Sequence, residues 1–107
     1  MIQINIALDF TDTPGPRYIK DGEFSGEEFR ESILIPKFEQ AKKDKAKLEI
    51  NLDGGYGYPS SFLEEAFGGL ARKFGVLAVL DTLTFISKEE PSLIDKIKSF
   101  IIKANEK

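Results

Sequence analysis

Residues 53–61 read Asp-Gly-Gly-Tyr-Gly-Tyr-Pro-Ser-Ser, a run that sets a carboxylate, two phenols and two hydroxyls on glycine-freed backbone. Placed between a strand and a helix, such a run can do three kinds of work. The first is ligand chemistry: Asp53, Tyr56, Tyr58 and Ser60 around an anion at the helix start would make a nucleotide or small-ligand site, or an enzyme. The phosphate motifs are incomplete, however. A dinucleotide fingerprint wants a third glycine where Ser60 stands, and a P-loop wants a lysine followed by Ser or Thr. Asp53, Glu64 and Glu65 would also repel phosphate at close range. Gly55 and Gly57 are better explained as residues of a tight turn.

The second is a regulatory hydroxyl. Ser61 with Glu64 spells a capping box, which makes Ser61 a helix cap and leaves Ser60 as the freer hydroxyl and the phosphorylation candidate. A phosphate on Ser60 gains from the helix dipole and is opposed by Glu64, four residues on. The third is a binding surface. Gly68 and Gly69 interrupt an amphipathic helix at about 1 kcal/mol each relative to alanine. At 100° per residue Gly68 falls on the outer face with Glu64, Glu65 and Arg72, a bare patch that a protein partner could approach. With Asp53, Gly54, Gly55, Tyr56, Gly57 and Tyr58 these residues form the expected partner-binding surface, tyrosines being enriched at interfaces. Arg17, in the Pro14-Gly-Pro16 loop, is the nearest cation for an anion at this edge.

Composition narrows the chemistry further. The chain has 107 residues, 15 Lys+Arg, 18 Asp+Glu and no Cys, His or Trp. Zero Cys excludes disulfides, thiolate metal sites and thiol nucleophiles and suits a reducing cytoplasm. Zero His removes the commonest general base and metal ligand. A net charge of -3 gives no electrostatic case for nucleic-acid binding. The expectation is a single cytoplasmic domain over residues 1–107, not an enzyme, with no cofactor, metal, signal peptide or membrane span.

The elements that must position the run follow from hydrophobic period. Ile2, Ile4, Ile6 and Leu8 alternate as a first strand over Met1 to Phe10. Thr11 to Gly22 is rich in turn formers and reads as an ordered loop, with Arg17 to Ile19 able to pair briefly at an edge. Ser25 with Glu28 opens a helix whose Phe29, Ile33, Leu34, Phe38 and Ala41 face inward, kinked or restarted at Pro36 and ended by Lys42-Lys43-Asp44-Lys45. Leu48, Ile50 and Leu52 form a second strand, and Ser61 to Phe74 a second helix. Val76 to Leu80 is open between strand and helix by period alone, Leu83 to Ser87 reads as a strand, and a last helix runs from Pro91 to Ala104. Alternating strand and helix predicts a small α/β sandwich. Its sheet is four-stranded and mainly parallel or mixed, about three helices flank it, and its sites lie beyond the carboxyl ends of the strands.

The run Asp53 to Leu70, with Thr13-Pro-Gly-Pro-Arg-Tyr18 and Ser25-Gly-Glu-Glu-Phe-Arg30, resembles the bacterial STAS-like domains of unknown function. These are similar to the STAS domains of anti-sigma-factor antagonists. The resemblance implies a non-catalytic regulatory domain that binds a protein partner, such as a histidine-kinase-type ATPase or an anti-sigma-like regulator. It also implies a serine switch, which by position is Ser60 with Ser61 beside it. Pro59 and Phe62 depart from the antagonists' Asp-Ser-Ser-Gly-Leu pattern. The resemblance further favours Leu83 to Ser87 as the strand after the second helix. A homodimer through the same patch is the purely structural alternative.

Overall fold

The computed structural model describes residues 2–106. Strand β1 (Ile2–Asn5) pairs in parallel with β2 (Leu48–Asn51), which pairs in parallel with β3 (Leu83–Ile86). The sheet therefore has three strands among the described residues, not four, in the order β1-β2-β3. With right-handed crossovers that order sends the connecting helices to one side of the sheet. Ile4, Leu48, Ile50 and Leu83 are buried beneath them. The opposite face is polar apart from Ile86, and the Gln3 amide donates to Glu49 across it at 3.0 Å.

The expected first strand is shorter than its alternation suggests, and Met1 lies outside the described residues. The Asn5 side chain accepts from the Leu8 amide at 3.1 Å, and Asp9 accepts from the Asn5 amide at 2.8 Å. These bonds cap a one-turn helix α1 (Ile6–Asp9) directly on the strand end. Ile6 goes into the core and Leu8 stands 83% exposed, which strand geometry could not do for residues two apart. Residues 11–25 form a loop with a short 3₁₀ turn (Ile19–Asp21); Arg17 to Ile19 pairs with no strand.

Helix α2 spans residues 26–44 and is capped as expected, the buried Ser25 hydroxyl accepting from the Glu28 amide at 3.0 Å. It passes Pro36 without breaking. Arg30–Leu34 form a π turn in which the Ile35 amide reaches back five residues to the Arg30 carbonyl. Widening the helix there lets the exposed proline ring follow without striking the preceding turn. The helix ends in a left-handed Lys45, φ 54°.

Helix α3 spans residues 60–74 and carries a second π turn, Glu64–Gly68. Val76–Thr82 is helix α4, which settles the open segment, and Ser92–Ile102 is α5, with a 3₁₀ turn (Ala104–Glu106) after it. Among the described residues five helices thus stand where about three were expected. The core is aromatic where α2 meets α3: Phe29 packs on Phe62 at 5.9 Å and on Phe67 at 6.2 Å. No helix among the described residues is long and apolar enough to cross a membrane.

Candidate functional site

The glycine run lies at the carboxyl end of β2, where the expected edge of the sheet was placed. Its backbone is tied down at each end. Asp53 accepts from the Lys88 amide at 3.1 Å and the Glu89 amide at 3.0 Å, clamping the turn after β3. Glu89 returns the link by accepting from the Gly54 amide at 2.8 Å. The Tyr56 amide donates to the Asp12 carbonyl at 2.9 Å. Gly54 and Gly57 have φ of 95° and 124°, values that a side chain would strain, so these two positions require glycine. Gly55 approaches the Asp12 carbonyl closely.

Between this loop and the β3–α5 turn lies an open cleft of about 230 Å³. Leu52 and Leu93 floor it, Tyr56 and Tyr58 wall it, and Glu89 and Glu90 rim it opposite the loop. The two glutamates are not singled out by the sequence, although the turn near Ser87 is expected at the same sheet edge as the glycine loop, which it meets through Glu89. Tyr58 is half-buried on Phe62 and donates to the Leu52 carbonyl at 3.0 Å. Tyr56 is 85% exposed.

The Tyr58 phenol is pushed up to about 12, first by burial and then by the negative charges of Asp53 and Glu89. An unfolded tyrosine ionises near 10.0, so as pH rises the unfolded chain gives up its proton first. The stability contributed by neutral Tyr58 is thus complete below pH 10.0 and lost as pH approaches about 12. We expect the denaturant midpoint to fall across that window and Tyr58→Phe to flatten the fall. Equal slopes in both proteins would remove the assignment.

Helix α3 departs from the expected outer patch. Glu64 and Glu65 are 7% and 8% exposed and Gly68 is buried. Arg17 pairs with Glu64 and with Glu65, the latter at 3.3 Å. Arg72 reaches Glu64 at 2.7 Å, and Arg30 reaches Glu65 at 2.6 Å while also donating to the Glu65 carbonyl at 2.7 Å. Burial works against both the Arg17 and Arg30 cations, but the carboxylates more than offset it and hold both guanidinium pKa values above normal. Arg17 does meet anions, and they are the chain's own.

This network explains the paired glycines. A Cβ on Gly68 would lie 2.7 Å from a Glu64 oxygen and 3.3 Å from an Arg72 nitrogen; one on Gly69 would lie 2.5 Å from the Arg30 guanidinium. Gly68 is therefore not a bare patch but the floor on which an ion pair rests. The expected Ser61–Glu64 capping box is also absent. The helix begins one residue earlier, with Pro59 as its N-cap and no side-chain cap, because Glu64 is held by two arginines rather than turned back to the helix start. Ser60 is exposed and Ser61 half-buried.

With this geometry in hand, a family model described as a STAS-like domain of unknown function matches residues 25–93, more than half of the chain. The chain belongs to that family. The matched part of the STAS-like domain runs from the Ser25 cap through the glycine loop and both π turns to Leu93 on the cleft floor, leaving β1 and Arg17 outside. No curated protein and no solved structure matches the STAS-like domain significantly.

Proposed function

We propose that this STAS-like domain is a non-catalytic regulatory module of the cytoplasm that binds a protein partner through the Gly54–Ser61 loop and the adjoining start of α3. The observation that carries the reading is Tyr56: it is 85% exposed on a loop anchored through the Gly54 and Tyr56 amides and the Asp53 and Glu89 carboxylates. A bare aromatic on fixed backbone gives contact area at little entropic cost. Ligand chemistry is less well supported, since the Gly54 and Tyr56 amides that would cradle an anion are already donating to Glu89 and Asp12. Resemblance to anti-sigma-factor antagonists makes a histidine-kinase-type ATPase the first partner to try.

Ser60 is the switch candidate within this reading. It is the first residue of α3, exposed and unused as a cap. The repulsion Glu64 would exert on a phosphate there is offset by the two guanidinium groups that hold it. The test is capture of a partner from native cells by the tagged chain, identification by mass spectrometry, and affinity measurement on variants. Tyr56→Ala should cost about 2 kcal/mol, roughly thirtyfold, and Ser60→Glu should shift affinity where Ser60→Ala does not. Affinity unmoved by Tyr56→Ala would falsify the surface.

A further inference from the structure

The carboxylates of this protein fall into two groups. Glu64 and Glu65, on α3, are each met by arginine. Asp53, Glu89 and Glu90, around the cleft, make no ion pair among the described residues. Asp53 and Glu89 spend their hydrogen bonds on backbone amides, which fixes their positions and leaves their charge uncompensated. Lys88 contributes its amide to Asp53 and no side-chain pair. The same cleft has an apolar floor, Leu52 and Leu93, and two tyrosine walls.

We propose that the cleft receives an arginine or lysine side chain carried on a basic segment of the protein partner. The chemistry is complementary part by part. The alkyl stem lies on the apolar floor, the cationic head faces the ring of Tyr56 or Tyr58, and the rim carboxylates supply the opposite charge. The volume, about 230 Å³, is that of one side chain rather than of a folded element. An anion would meet three negative charges. A metal ion is not favoured either: among the described residues no group of three or more carboxylates is placed to hold one. Tyr58, whose pKa is raised first by burial, also feels the negative charges of Asp53 and Glu89. This inference rests on the protein-binding reading and adds to it the chemistry of the partner's contacting segment.

The test uses the whole chain, isotopically labelled, titrated with hexa-arginine, hexa-glutamate and ATP at low and high salt. The expected result is saturable amide shifts confined to Gly54, Gly55, Gly57 and Glu89 with hexa-arginine alone, weakened by salt. Each of Glu89→Gln and Glu90→Gln should weaken binding roughly two- to fivefold, as partly exposed charge pairs do, and Tyr56→Ala should weaken it again. The glutamine at 89 keeps an oxygen for the Gly54 amide, so the loop stays in place. Shifts spread over every acidic surface, shifts unchanged by the three variants, or shifts with ATP or hexa-glutamate instead would each overturn the inference. If hexa-arginine fails while the captured partner still depends on Tyr56, the cationic contact is wrong and the protein-binding reading survives. If partner affinity ignores Tyr56, that reading falls on its own evidence.

Discussion

Gly26→Ala lowers the thermal midpoint by about 10–20 °C, the expected result of a loss near 3 kcal/mol in a domain of this size. Helix propensity alone predicts the opposite sign, since alanine is the better helix former by about 1 kcal/mol. Contact geometry decides against it. A Cβ at Gly26 would sit 2.5 Å from the Phe62 carbonyl oxygen and 3.1 Å from two further backbone atoms of Phe62. No rotamer relieves a clash with main chain, so the first turns of α2 and α3 must separate. Phe29 and Phe62, stacked at 5.9 Å, would part with them. The Gly26 amide, which donates to the Pro16 carbonyl at 2.9 Å, would be pulled from the loop as well. Circular dichroism melts of Gly26→Ala and of Ser60→Ala, an exposed neighbour with no such contact, make the comparison. Equal midpoints would mean that α2 and α3 do not touch backbone to backbone.

Removing Glu65 is the second large effect, expected at about 2–3 kcal/mol for Glu65→Ala. Breaking a fully buried pair typically costs about 3–5 kcal/mol, and the lower figure here reflects guanidinium groups that are partly exposed. Arg30 is the critical partner, its side chain only 15% exposed and directed at both the carboxylate and the carbonyl of Glu65. Left without the carboxylate, it remains a partly desolvated charge. The pair Arg30→Met with Glu65→Met should therefore recover part of the loss, because no uncompensated charge is left behind. Urea denaturation of Arg30→Met, Glu65→Met and the double measures the coupling. Strict additivity would show that the two side chains do not share one interaction.

What the sequence disclosed and what it hid divide along the distance between partners. Ser25 and Glu28 are three residues apart, and the cap they spell is present on the Ser25 side. Leu48 and Ile50, and the Phe62, Leu63, Ala66, Phe67 series, carry their period locally and are buried as read. Ser61 and Glu64 spell the same cap, yet Glu64 is claimed by Arg17 from 47 residues away, so identical letters gave a different outcome. Glu64 and Glu65 looked solvated for that reason. Their cations come from the 11–25 loop and from α2, and no spacing rule connects them. The alternation of Ile2 through Leu8 misled in another way: Asn5 bonds the Leu8 amide and turns the chain before the pattern ends. Within the candidate site, Asp53, Tyr56 and Tyr58 were legible from their loop, and the turn near Ser87 from the topology, whereas the part played by Glu89 and Glu90 depends on side-chain contacts across the two turns that no local pattern marks.

The pairing of the strands bears on how the chain acquires its shape. Ile2 faces Leu48 and Leu48 faces Leu83, so no strand has a neighbour closer than about thirty-five residues along the chain. Closing either gap costs nearly the same entropy, the two differing by only about 0.2 kcal/mol from their lengths. Neither pairing can form first as a local hairpin would, and loop length does not choose between them. In the native state Phe29 packs on both Phe62 and Phe67 where α2 meets α3, the two helices that flank β2 in sequence, so we expect the sheet to form together with this core rather than before it. Such a chain should cross a single cooperative barrier, at the unhurried rate of folds built from distant contacts.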